Sequence, residues 1–142
     1  MEASKALNQC NCFAVRQAAR QVTRLYERHL GKAELTSAQF SILVALGEGG
    51  RMTMVELAGE LVMDRTTLLR AMKPLQREGF LKSASSDADA RQLVFSLSSL
   101  GERKLKQAIP LWTKAQEEFE SGMRPGEAVR LRGALLALAK SG

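Results

Sequence analysis

The sequence is poor in the residues that build catalytic and metal centres. Its 142 residues hold one histidine, His29, and two cysteines, Cys10 and Cys12. That set does not supply the four ligands of a structural zinc site, so no metal is expected. Cysteines one residue apart cannot tie distant segments together, which excludes a disulfide framework. There is no apolar run long enough to span a bilayer, and the start, MEASKALNQC, lacks the apolar stretch of a signal peptide. A cytoplasmic location and no membrane partner are the expectation. The run Gly47-Glu48-Gly49-Gly50 lacks the Lys-Ser/Thr of a phosphate-binding loop. No Ser-His-Asp or Cys-His order can be placed. The expectation is a protein that is not an enzyme and needs no cofactor.

What is present is ordinary for a globular domain: 45% hydrophobic and 25% charged residues. The length fits a single domain over residues 1–142, able to bury a core without staples. The net charge of +6 favours a polyanionic partner, although charge alone is a weak guide. There are no internal repeats, low-complexity tracts or long linkers.

Helix signals dominate. Val15, Ala18, Val22, Leu25, Tyr26 and His29 recur at three- and four-residue steps, which predicts one face of a helix ending at Gly31. Arg16, Arg20, Arg24 and Arg28 form a second stripe, read either as a solvated face or as part of a phosphate- or effector-facing surface. Thr36-Ser37-Ala38-Gln39 is a capping box, opening a helix with Phe40, Leu43, Val44 and Leu46 that is expected to stop at Gly47. Thr53-Met54-Val55-Glu56 is a second box, opening a short helix through Leu61. Asp64 is an N-cap for a helix running to about Glu78, with Pro74 inside it and Gly79 ending it.

The period then changes. Leu81, Ser83 and Ser85 alternate with Lys82 and Ala84, and Leu93, Phe95 and Leu97 alternate with Val94 and Ser96. The polar turn between them predicts a β-hairpin. Ser99-Leu100-Gly101-Glu102 reads as a third capping box, opening a long helix with Leu105, Ala108, Ile109, Trp112, Ala115 and Phe119 on one face and a kink at Pro110. Pro125 is expected to start a last helix lined by Val129, Leu135, Leu136 and Leu138.

Two short capped helices, a third with a basic first turn and then a hairpin make a helix-turn-helix with a wing. The fold class is mainly α with a small β-hairpin (α+β). Flanking helices at residues 10–31 and 99–140 surround a winged core at 36–98. The candidate recognition helix starts after Asp64, and its other face carries Leu68, Leu69, Met72 and Leu75. Arg65 and Arg70 can donate two bonds to a guanine, and Thr66 and Thr67 can meet a base edge or a thymine methyl. Lys73 and Arg77 can neutralise phosphates. Thr53 is a further candidate contact. Arg91 at the hairpin tip suits the negative potential of a narrow minor groove.

These segments resemble the MarR family over nearly the whole chain. The resemblance rests on Leu35 to Phe40, Thr53 to Ala58, Asp64 to Arg70, Pro74 to Leu81, and the hairpin through Asp89, Arg91 and Leu97 to Gly101. It implies a homodimer built from the first helix and the last two. It also implies a palindromic double-stranded DNA operator and a repressor released by an effector. At the hairpin the family often carries Asp-x-Arg-Asp-x-Arg. Asp89, a support for the wing, and Arg91 match, while Ala88 replaces the first arginine.

Cys12 to Arg20, with Thr23 and Tyr26, is similar to the first helix of the peroxide-sensing OhrR branch. That likeness implies an oxidisable cysteine held by the partner subunit's tyrosines. Tyr26 matches one of them, and Arg16 stands where another would be. Chemically, Cys12 sits at a helix start with Arg16 one turn on, and both features favour a thiolate. Cys12 is thus a candidate sensor of organic hydroperoxide, with Cys10 as the resolving thiol. A second candidate signal is a small aromatic effector near Tyr26, Phe40 or Trp112. Two other classes stay open. A thiol peroxidase using Cys12 would turn over peroxide, and a winged-helix protein-protein adaptor would lack salt-dependent duplex binding.

Overall fold

The computed structural model describes residues 3–141. Helix α1 (Ala3–Gln9) and helix α2 (Asn11–Leu30) are followed by a 3-10 turn at Gly31–Ala33. Then come α3 (Ser37–Gly49), β1 (Met52–Thr53), α4 (Met54–Leu61), α5 (Arg65–Arg77), β2 (Leu81–Ser85), β3 (Leu93–Leu97), α6 (Ser99–Glu120) and α7 (Glu127–Lys140). The order is the expected one, with an added strand and an added N-terminal helix.

Three predicted N-termini form as read. Thr36 Oγ1 accepts from the Gln39 amide and Gln39 Oε1 accepts from the Thr36 amide. Thr53 and Glu56 reciprocate in the same way. Asp64 Oδ1 accepts from the Thr67 amide at 3.1 Å. Each satisfies donors that a helix start leaves without partners.

Other boundaries differ. Helix α3 runs past Gly47 to Gly49. The residue that ends it is Gly50, at φ 74°, a left-handed conformation that glycine tolerates best. The first helix breaks at Cys10, whose sulfur caps α2 by accepting from the Phe13 amide at 3.4 Å. Helix α6 is capped by Ser98 rather than Ser99. Ser98 Oγ accepts from the Gly101 amide and donates to the Gly79 carbonyl at 2.6 Å. A capping box from Ser98 would need its acid at position 101, which is glycine. Pro125 precedes α7, which starts from Gly126 at φ 79°.

Strand β1 was invisible to periodicity because it is two residues long. It pairs antiparallel with β3, Met52 opposite Phe95, to make a sheet of order β1-β3-β2. The hairpin register sets Leu81 against Leu97 and Ser83 against Phe95. Leu81, Phe95 and Leu97 face the core, while β2 beyond Leu81 is exposed. The core joins Leu30, the buried side of α3 (Phe40, Ile42, Leu43, Leu46), Leu57 of α4, Leu68, Met72 and Leu75 of α5, and Ala108 of α6. Burying each large aliphatic side chain contributes about 1.5–3 kcal/mol.

The two flanking helices pack differently. The second half of α2 lies against α6, where Tyr26 meets Phe119 and donates to Gln116. Its first half does not, and Val15 is 44% exposed. Along α7 only Ala128 is buried; Val129, Leu131, Leu135, Leu136 and Leu138 are exposed.

Candidate nucleic-acid interface

Helix α5 has two faces. Leu68, Met72 and Leu75 follow a four-then-three step and are buried. Thr66, Arg70, Lys73 and Arg77 follow a four-three-four step on the opposite side, and all are exposed. Residues at these spacings stack along one helix face. One side of α5 is therefore held by the core, and the other presents a threonine and three cations as a single stripe. Arg65 and Thr67 flank it at the first turn and are exposed.

The start of α5 is fixed electrostatically. The Thr67 hydroxyl, then its amide, hold the Asp64 carboxyl below its ordinary value, and the charge of Arg70 adds to this. Thr67 is thus tied to the cap, leaving Thr66 as the freer hydroxyl of the pair. Thr53 is also engaged. Half-buried, its amide and hydroxyl hold Glu56, whose carboxyl is lowered for that reason.

The wing tip is closed by its own polar atoms. The Ser86 amide donates to the Gln92 carbonyl at 2.7 Å, and Ser86 Oγ accepts from the Ala88 amide. Asp89 Oδ1 accepts from the Arg91 amide at 3.0 Å and lies 3.7 Å from Arg91 Nε. Asp89, expected as a support for the wing, thus contacts Arg91 at the tip. The Arg91 side chain is 95% exposed.

The N-terminal candidates are not gathered into one site within the chain. Cys10 and Cys12 are free thiols on the surface, and Arg16 is exposed one turn beyond Cys12. Tyr26 lies about 21 Å further along the same helix, at 1.5 Å per residue. Its phenol cannot approach Cys12 of its own chain. Burial, reinforced by Glu120 and opposed by Arg132, raises the Tyr26 hydroxyl above its ordinary value of 10.0.

Tyr26, Phe40 and Trp112 do come together. They line an open cavity of about 650 Å³ bordered by α2, α3, α4 and α6. Phe40 and Trp112 are stacked, with ring centroids 6.3 Å apart and planes at 22°. Glu48, Glu60 and Ile109 also line it, and sequence reasoning did not find them. No local pattern marks them, since they come from three different helices. Among the described residues there is no cluster of ligands for a metal, and no helix is long and apolar enough to cross a membrane.

Known proteins share this architecture. The MarR family model matches residues 35–93. The transcriptional regulator MosR of Mycobacterium tuberculosis, solved in complex with DNA, is 34% identical. That match covers 94% of this chain and 96% of MosR, with a TM-score of 0.83. The organic hydroperoxide resistance transcriptional regulator of Bacillus subtilis is 26% identical over 100 residues, covering 70% of this chain and 68% of its own. BpsR of Bordetella bronchiseptica, whose DNA binding is regulated by 6-hydroxynicotinic acid, is 20% identical and shares the fold. Its TM-score is 0.86, with 94% of this chain and 96% of BpsR covered. An exposed cationic stripe on a core-anchored helix, a hairpin tipped by an exposed arginine, and near full-length likeness to a DNA-bound regulator converge: the chain belongs to the MarR family of winged-helix, DNA-binding transcriptional regulators.

Proposed function

We propose that the protein is a homodimeric repressor that binds a palindromic operator and leaves it when an effector is sensed. The observation that carries this is the Thr66–Arg70–Lys73–Arg77 stripe on α5, opposite a buried face. Arg65, Thr66 and Arg70 read base edges in the major groove, and Lys73 and Arg77 meet phosphates. Thr67 and Thr53 hold the two helix starts at the DNA. Arg91, braced by Asp89, enters the minor groove.

The dimer reading is supported by the apolar side chains that α7 leaves in water. A second copy of the chain covers them, with α6 and the first half of α2 beside them. Two-fold symmetry then presents two α5 helices about 34 Å apart, one turn of DNA.

The test is selection of bound duplexes from a random pool, followed by binding of the selected site. Arg65→Ala and Arg70→Ala are expected to weaken specific binding. Arg91→Ala is expected to weaken it with less loss of sequence preference. Unchanged affinity in all three would reject this surface.

Two signals are supported. The aromatic cavity spans α2 and α6 on one side and α3 and α4 on the other, so a small aromatic effector there would reset the recognition helices against the dimer helices. The DNA binding of BpsR, of the same fold, is regulated by a small aromatic acid, 6-hydroxynicotinic acid, a precedent for the ring of the effector and not for its charge. The second signal is oxidation. Cys12 is exposed in the first turn of α2 with Arg16 nearby, and the likeness to the Bacillus subtilis regulator points the same way. The Cys12 thiolate attacks the hydroperoxide, the O–O bond breaks, and the alkoxide leaves and is protonated to the alcohol. The Cys10 thiolate then attacks the resulting sulfenic acid, and water leaves as the disulfide forms. Since Cys10 caps α2, that step acts on the start of the helix. Operator binding before and after hydroperoxide, in wild type and Cys12→Ser, tests this. Equal sensitivity in both would reject the sensor.

A further inference from the structure

The proposed effector cavity is opposite in charge to the chain as a whole. The chain as a whole is +6. Yet among the described residues the ionisable groups lining the cavity, apart from the phenol of Tyr26, are two carboxylates, Glu48 and Glu60, with no lysine, arginine or histidine beside them. Its floor is aromatic, formed by the stacked Phe40 and Trp112 with Tyr26 beside them. Ring faces are negative and attract an organic cation that has shed its water, and a carboxylate at the rim completes that recognition. An aromatic acid meets the opposite situation. Its carboxylate would lie beside two like charges with no cationic side chain in the lining to accept it.

We propose that the cavity selects aromatic or lipophilic organic cations, amines or quaternary ammonium compounds, over aromatic acids. The ring of the ligand lies against Phe40 and Trp112, and its nitrogen faces Glu48 and Glu60. Glu60 stands near the end of α4, ahead of the turn into α5, so a cation held there engages the helix that leads into the recognition helix. This deepens the effector reading above and rests on it.

Trp112 is the only tryptophan, so its fluorescence reports on this cavity alone. The full-length protein is titrated, at constant ionic strength, with benzyltrimethylammonium, benzyl alcohol and phenylacetate. Calorimetry is run in parallel. The cation is expected to bind at least tenfold more tightly than the alcohol, and phenylacetate most weakly. Glu48→Gln with Glu60→Gln, both at exposed positions, is expected to bring the cation's affinity down to that of the alcohol while leaving the alcohol's unchanged. Circular dichroism confirms that the double variant is folded.

Binding of the alcohol with equal or tighter binding of phenylacetate than of the cation would overturn the charge preference alone. So would a cation affinity insensitive to both glutamates. Failure of all three probes to perturb Trp112 or to release heat would overturn the effector cavity itself, and the charge preference with it.

Discussion

Gly101 in the first turn of α6 lies directly on the backbone of Phe80, so that a Cβ at position 101 would stand 2.1 Å from the Phe80 carbonyl oxygen. The same carbonyl accepts from the Ser98 amide at 3.0 Å, and Ser98 Oγ reaches Gly79. The base of the wing and the start of α6 are thus joined backbone to backbone, with no room for a methyl group. Gly101→Ala must push the two apart and is expected to cost about 3 kcal/mol, the upper range for overpacking. Chemical denaturation measures it. A loss below about 0.5 kcal/mol would show that the contact yields freely.

Val62, in the turn between α4 and α5, has φ 51° and ψ 48° and is 66% exposed. A β-branched residue in the left-handed region is strained, and little packing compensates here. Val62→Gly is expected to raise stability by about 1 kcal/mol, the strain exceeding the entropy that glycine adds to the unfolded chain. The thermal midpoint checks this, with Val62→Ala as the control that removes branching but keeps a Cβ.

Glu56 and Asp64 cap α4 and α5, and both carboxyls are lowered by the groups they hold. A carboxyl lowered in the folded state stabilises the protein above its unfolded pKa, and that contribution disappears as pH falls through the folded value. Unfolding midpoints in urea are therefore expected to drop as pH falls below about 4. In Glu56→Gln with Asp64→Asn, which keep the capping atoms but do not titrate there, the drop is expected to be shallower. Identical acid profiles would remove these caps from the pH dependence.

Tyr26 is the only tyrosine, so its ionisation is seen directly in the ultraviolet spectrum. The expected midpoint lies above 10.0, because burial disfavours the phenolate. Linkage gives the sign. The contribution is fully present below the unfolded pKa near 10, and it is lost as pH rises through the higher folded value. Tyr26→Phe abolishes the titration and, by removing the donor to Gln116, is expected to cost about 1 kcal/mol. A midpoint at or below 10.0 would contradict the burial of this hydroxyl between α2 and α6.

Thr36, Thr53 and Asp64 show what was legible in the chain. Each binds an amide three residues on, an interaction closed within one turn, so the residue types at that spacing are enough to predict it. The two faces of α5 were legible for the same reason. Buried Leu68, Met72 and Leu75 alternate with exposed Thr66, Arg70 and Lys73 at the helical period, and the order of elements placed that helix next to a hairpin. Cys10 shows where such reading stops short. Its sulfur is an uncommon cap, and the break it makes between α1 and α2 carries no strong residue signal.

Local chemistry in the sequence thus determined most helices, the caps at Thr36, Thr53 and Asp64, the hairpin and the cationic stripe of α5, because each depends on neighbours within a few residues. Tertiary structure decided the rest. Met52–Thr53 became a strand only because Phe95 and Val94 were brought beside it. Ser98 outcompeted Ser99 as a cap because the carbonyls of Gly79 and Phe80 stood within its reach. Glu48, Glu60, Phe40, Tyr26 and Trp112 acquired a shared cavity only when four helices packed around it. The charge of a pocket is a sum over segments far apart in the chain, and no window of sequence holds all of them.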